Sequence, residues 1–141
     1  MSMSKYAEIL KDHAMKEGYN LNFKDIGEYT ILELQDEISP GVMSDIIVYF
    51  PKGKGLINIL NGNFINEINP LRKDVALELV NNFNMKYACV KCMLRNNAVV
   101  LQESIALDYI DFNPSKFLTC LLDFSYIMKE EYPYFRNISL Y

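Results

Sequence analysis

Residues Asp45 to Leu60 read DIIVYFPKGKGLINIL, and this stretch decides the fold. Ile46 to Phe50 (IIVYF) is β-branched and aromatic, the composition of a buried strand. Pro51-Lys52-Gly53-Lys54-Gly55 closes it, because proline lacks an amide donor and glycine lets the chain turn. Leu56 to Leu60 (LINIL) predicts the next strand, with a stop at Asn61-Gly62. Either the Pro-Gly stretch or Asn61-Gly62 suits a hairpin. Strands linked this tightly pair antiparallel, since a parallel pair needs a long crossover.

Working upstream, Asp36 to Ser44 (DEISPGVMS) holds Pro40-Gly41 and reads as a turn, and Glu28 to Gln35 (EYTILELQ) alternates as a strand does. Ahead of a polar stretch, Ser4 is placed to cap a first helix. Its apolar face is Tyr6, Ile9, Leu10, His13 and Ala14, and Gly18 ends it. Downstream, Asn69-Pro70 opens a second helix, with Leu71, Val75, Leu79, Val80 and Phe83 as its buried face. Two strands follow, Tyr87 to Leu94 and Val99 to Tyr109, joined by Arg95-Asn96-Asn97-Ala98. Asn113-Pro114 opens a last helix that Tyr132-Pro133 is expected to break. The order is helix, three strands, helix, two strands, helix. It predicts one α+β domain over residues 1–141: an antiparallel sheet of about five strands with helices packed on one side.

That element order, with its Asn-Pro start and Tyr-Pro end on the last helix, resembles the YbjN-like family of bacterial sensory-transduction regulators. The likeness runs from Tyr6 to Pro133, and its nearest local matches are Asp45 to Leu60 and Asn113 to Pro133. The resemblance implies the fold of the type III secretion chaperones and a small cytoplasmic interaction domain, often dimeric. It brings no catalytic residues to carry over. Secretion chaperones are usually more acidic than this chain.

Composition agrees with a packed domain. Of 141 residues, 50% are hydrophobic and 23% charged, which excludes a disordered chain. Fourteen basic residues against 18 acidic ones give a net charge of -4, and the lysines and arginines are scattered. Nucleic-acid binding needs them clustered, so the composition disfavours that partner. No run of about 18 apolar residues exists to span a membrane, and Met1 to Leu10 lacks the pattern of a secretion signal. Three cysteines without such a signal predict free thiols in a cytoplasmic protein.

The candidate chemistry is thin. Cys89 and Cys92 form a C-x-x-C, but inside a strand residues three apart face opposite ways, so their thiols would diverge. Zinc needs four ligands, and only Cys120 and His13 remain to complete a set. His13 has Asp12 beside it in sequence, but helix neighbours point about 100° apart. Pro51 to Gly55 is basic and glycine-rich, yet a strand follows it where a phosphate loop requires a helix. The carboxylates Glu33, Asp36 and Glu37, and the pair Asp108 and Asp111, flank strand ends, where solvated charge is ordinary. No catalytic, cofactor or metal residues are therefore predicted, and the chain reads as a non-enzyme.

The last helix and tail carry the strongest signal. Phe117, Leu118, Leu121, Leu122, Phe124 and Met128 wrap wider than one stripe, and Tyr134 and Phe135 continue the apolar run toward Ile138, Leu140 and Tyr141. Two outcomes fit. The tail folds back to close the core, or these residues form an interface with a second copy or another protein. The expected function is a non-catalytic, chaperone-like interaction or regulatory module that forms a homodimer. The alternative is a regulatory domain holding a small molecule in an apolar cavity between sheet and helices, suited to its 10 Tyr and 8 Phe.

Overall fold

A computed structural model describes residues 2–108 and 110–140. The chain runs α1 (Lys5–Lys16), β1 (Phe23–Ile26), β2 (Tyr29–Ser39), β3 (Val42–Pro51), β4 (Ile57–Ile65), α2 (Lys73–Lys86), β5 (Lys91–Arg95), β6 (Ala98–Ile105) and α3 (Pro114–Phe135). Short 3-10 turns precede α2 at Pro70–Arg72 and follow α3 at Arg136–Ile138. The strands form one antiparallel sheet in the order β1-β2-β3-β4-β6-β5, with the helices on one side. This is the expected α+β class with one strand more, because β1 lies in the stretch read as polar. Gly27, at φ 58°, turns β1 into β2, and Phe23 packs its ring on Phe50.

Four boundaries differ from the sequence reading. Asp36 to Ser44 is mostly strand, and the turn shrinks to Pro40-Gly41, where Gly41 takes φ 75°. Asn61-Gly62 does not stop β4, which continues through a bulge between Asn61 and Ile65. The buried Asn61 amide donates to Ser44 Oγ at 2.7 Å and to the Asp45 carbonyl at 2.6 Å, replacing ladder bonds lost at the bulge. Strand β5 begins at Lys91 rather than Tyr87, and β6 ends at Ile105. The predicted end of β6, Tyr109, lies outside the described residues. The link between them is the expected hairpin, with Asn96 and Asn97 at φ 50° and 65°, values that asparagine tolerates.

The fourth difference is at Pro133, which sits inside α3 instead of breaking it. Proline removes one helical hydrogen bond, here in the last turn. Beyond it, Phe135 and Ile138 are buried, which holds the turn in place. The tail thus closes the core. The Leu140 amide donates to the Glu67 carbonyl at 2.9 Å, and Ile68 bridges to Ser139. Tyr141 lies outside the described residues.

The caps follow the sequence at two starts of three. Asn113 accepts from the Lys116 amide at 3.2 Å, and Asn69 from the Leu71 amide at 3.0 Å. Ser4 does not cap α1 with its side chain; its hydroxyl donates to the Pro51 carbonyl at 2.8 Å, tying α1 to the end of β3. On α2 the buried residues are Ala76 and Phe83, with Leu79 and Val80 packed against the core. Leu71, expected inside, is 91% exposed, and Val75 is exposed too. The 3-10 turn rotates Leu71 off the helix period.

Between sheet and helices the space is filled by rings. Phe50 meets Phe117, Phe117 meets Phe112, and Phe135 meets both Phe64 and Phe83 at centroid distances of 5.2 to 6.3 Å.

Candidate interaction surface

The residues weighed for chemistry, and set aside in the sequence, are dispersed in the structure. Cys89 is exposed just ahead of β5, Cys92 is buried under α2, and Cys120 sits half-buried on α3. Burial pushes the Cys92 thiol up to about 12, and the Glu131 carboxylate adds to that effect. Such a thiol stays protonated and inert. Among the described residues no three His, Cys, Asp or Glu side chains are grouped to hold a metal ion. His13 Nε2 lies 3.5 Å from Ser115 Oγ, at an exposed contact between α1 and α3.

The carboxylates act as ties. Asp36 accepts a hydrogen bond from the Ser125 hydroxyl and pairs with Lys129 at 3.4 Å, holding α3 to β2. Asp111 donates its amide to the Asp108 carbonyl within a turn. The basic turn Pro51 to Gly55 joins β3 to β4 and borders a cleft of about 580 Å³, with Lys5, Tyr6, Leu107 and Asp108 on its other walls. Its Lys52 is already paired with Asp25 at 3.5 Å.

One buried acid escaped the sequence reading. Glu131, on α3, accepts from Lys86 Nζ and from the Tyr87 hydroxyl, both at 2.9 Å, and so clamps α2 to α3. The hydrogen bond to Glu131 raises the Lys86 pKa. A single Glu in an amphipathic helix gives no sequence signal of burial.

Of the eight residues proposed for an interface, Phe117, Leu121, Phe124, Met128 and Phe135 are buried in this chain's own core, and Leu118 is packed against it. Leu122 is 70% exposed and Tyr134 is likewise on the surface. The wide apolar wrap of α3 is explained by its position: it touches β2, β4, α1 and α2.

The surface left open is the other face of the sheet. Alternate residues on each strand turn away from the helices: Ile31 and Glu33 on β2, Asp45, Ile47 and Tyr49 on β3, Asn58 and Leu60 on β4, Val100 and Gln102 on β6, Lys91 and Met93 on β5. Ile31 and Val100 are 4% and 3% exposed there. Ile47, Tyr49, Leu60 and Met93 are half-buried. Tyr29 packs edge-on against Tyr49 at 5.9 Å. Together with Leu60, Arg95 and Gln102 they line a shallow depression of about 270 Å³. No helix among the described residues is long and apolar enough to cross a membrane.

Comparison with known proteins agrees with this architecture. The fold is shared with the crystal structure of YbjN from E. coli, described as a candidate transcription regulator. The likeness covers 88% of this chain and 89% of that one at a TM-score of 0.54, with 15% sequence identity. At that identity the structural likeness shows the fold alone, and the site residues are argued from this chain. No family model matches the chain, and no curated protein does.

Proposed function

We propose that the protein is a non-catalytic interaction module that works in the cytoplasm and docks another polypeptide on its open sheet face. One observation carries the reading. The helices cover one side of the sheet only, and the bare side has an apolar centre of Ile31, Ile47, Tyr49, Leu60, Met93 and Val100 with charged residues around it. Apolar and tyrosine-rich centres with polar rims are the anatomy of protein interfaces. A regulatory role fits such a module and accords with the description of E. coli YbjN. The α3 surface is the weaker candidate, since most of its apolar residues are consumed by the core.

The test is comparative capture. Wild-type protein and Tyr49→Lys, both tagged, are incubated with lysate of the host, and the native mass of each is measured alone. The reading expects self-association or a captured protein that Tyr49→Lys loses while its melting temperature is kept. Association unchanged by Tyr49→Lys, or absent from both proteins, overturns it.

A further inference from the structure

The ladder registers place Glu33, Ile47, Leu60, Gln102 and Lys91 in one row across β2, β3, β4, β6 and β5. All five lie on the open face. The row is acidic at one end, basic at the other and apolar at its midpoint, Leu60. Strands lie about 4.8 Å apart, so Glu33 and Lys91 stand roughly 19 Å from each other, two strands either side of Leu60.

We propose that the open face is the interface of a homodimer whose two-fold axis runs along β4 beside Leu60. The inference rests on the interaction-module reading and names its partner: a second copy of this chain. An axis parallel to β4 and lying between the two faces carries β2 of one copy over β5 of the other. Glu33 then meets Lys91 of the second copy, and the symmetry makes that pair twice. Leu60 meets Leu60. An axis perpendicular to the strands would set β2 over β2 and Glu33 against Glu33, so charge selects the first arrangement.

The wider charge distribution agrees. On β2 and β3 the open side carries Glu33, Glu37 and Asp45, and Lys24 of β1 stands beside Glu33 at 3.5 Å. On β5 it carries Lys91 and Arg95, and neither forms an ion pair among the described residues. Acidic and basic halves flanking an apolar middle make a surface complementary to itself. Stacked sheets cross at about 30°, and the long Glu and Lys side chains at the row's ends span the offset this creates.

Sedimentation equilibrium of the full chain, from about 1 to about 100 µM, decides the matter. The wild type is expected to be a dimer. E33K and K91E should each raise the dissociation constant about tenfold or more, and E33K/K91E in one chain should bring it back toward the wild-type value. Leu60→Asp should give a monomer, with circular dichroism showing that it folds. A wild-type monomer across the range overturns the inference, as does a dimer unmoved by E33K, K91E and Leu60→Asp. Neither result decides the interaction-module reading, which stands or falls on whether any association depends on Tyr49.

Discussion

Asn84 on α2 and Cys92 on β5 exchange two hydrogen bonds of 2.8 Å each: the Asn84 amide nitrogen donates to the Cys92 carbonyl, and the Cys92 amide donates to Asn84 Oδ1. A side-chain amide here takes the place of a neighbouring strand. Strand β5 is an edge of the sheet, and an unpaired edge is a template for aggregation. The helix therefore guards that edge through one residue. Asn84→Ala should cost about 1–2 kcal/mol in urea unfolding, the worth of two net hydrogen bonds, and should raise light scattering on storage. Loss of stability without added scattering would assign Asn84 to packing alone.

The three thiols should differ sharply in reactivity. Cys89 is exposed, Cys120 half-buried and Cys92 buried. Iodoacetamide followed by mass mapping at neutral pH should modify Cys89 first and Cys120 next, with Cys92 protected until the chain unfolds. Early modification of Cys92 would show that α2 lifts readily from β5.

Alkaline pH should unfold the protein, and the sign follows from the direction of each shift. The folded Cys92 thiol is raised from its ordinary 9.0 to about 12 by burial. The native state thus holds this proton where the unfolded state releases it. Its stabilising contribution is complete below pH 9 and is lost as pH rises toward 12. Tyr87, raised by burial and by its bond to Glu131, and Lys86, raised by Glu131, act in the same direction above pH 10. Cys92→Val should flatten the fall in melting temperature between pH 9 and 12. An unchanged slope would place the alkaline transition elsewhere.

How much of this was legible in the sequence depends on whether the signal is local. The Asn-Pro helix starts, the Asn96-Asn97 hairpin and the alternation of EYTILELQ depend on neighbours in the chain, and the structure keeps all three. Strand β1 escapes the pattern because the two inward positions of FKDI are Phe23, which packs on Phe50, and the polar Asp25, so no apolar alternation shows. Pro133 reads as a stop because a helix penalty is local, whereas the burial of Phe135 that outweighs it is tertiary. The same limit hid the open face. Ile47, Tyr49 and Leu60 are as apolar as their buried neighbours, and only the placement of every helix on one side sets them apart.

Glu131 should prove structural, and its variants can be ranked. It is 6% exposed and serves two donors, Lys86 and Tyr87. Glu131→Ala strands the Tyr87 hydroxyl and should cost about 1–3 kcal/mol. Glu131→Gln keeps an acceptor for Tyr87 and should cost less. Equal losses would mean that charge, through the well-solvated Lys86, dominates the clamp.

The last helix offers the sharpest contrast between core and surface. Phe135 is fully buried against Phe64 and Phe83, beyond a proline that removes one helical bond. Phe135→Ala should cost about 3–5 kcal/mol, the usual range for emptying a buried phenylalanine site, and should loosen the tail so that Leu140 loses its bond to Glu67. Leu122 lies two turns into the same helix with its side chain in solvent. Leu122→Asp should change stability by no more than about 0.5 kcal/mol and leave the native mass as it is. The two substitutions can be compared in one urea titration read by circular dichroism, with sedimentation reporting the mass. A monomeric Leu122→Asp protein of unchanged stability, beside a dimeric wild type, would move the interface from the sheet to α3. A mild effect of Phe135→Ala would mean that the tail adds little to the core it covers.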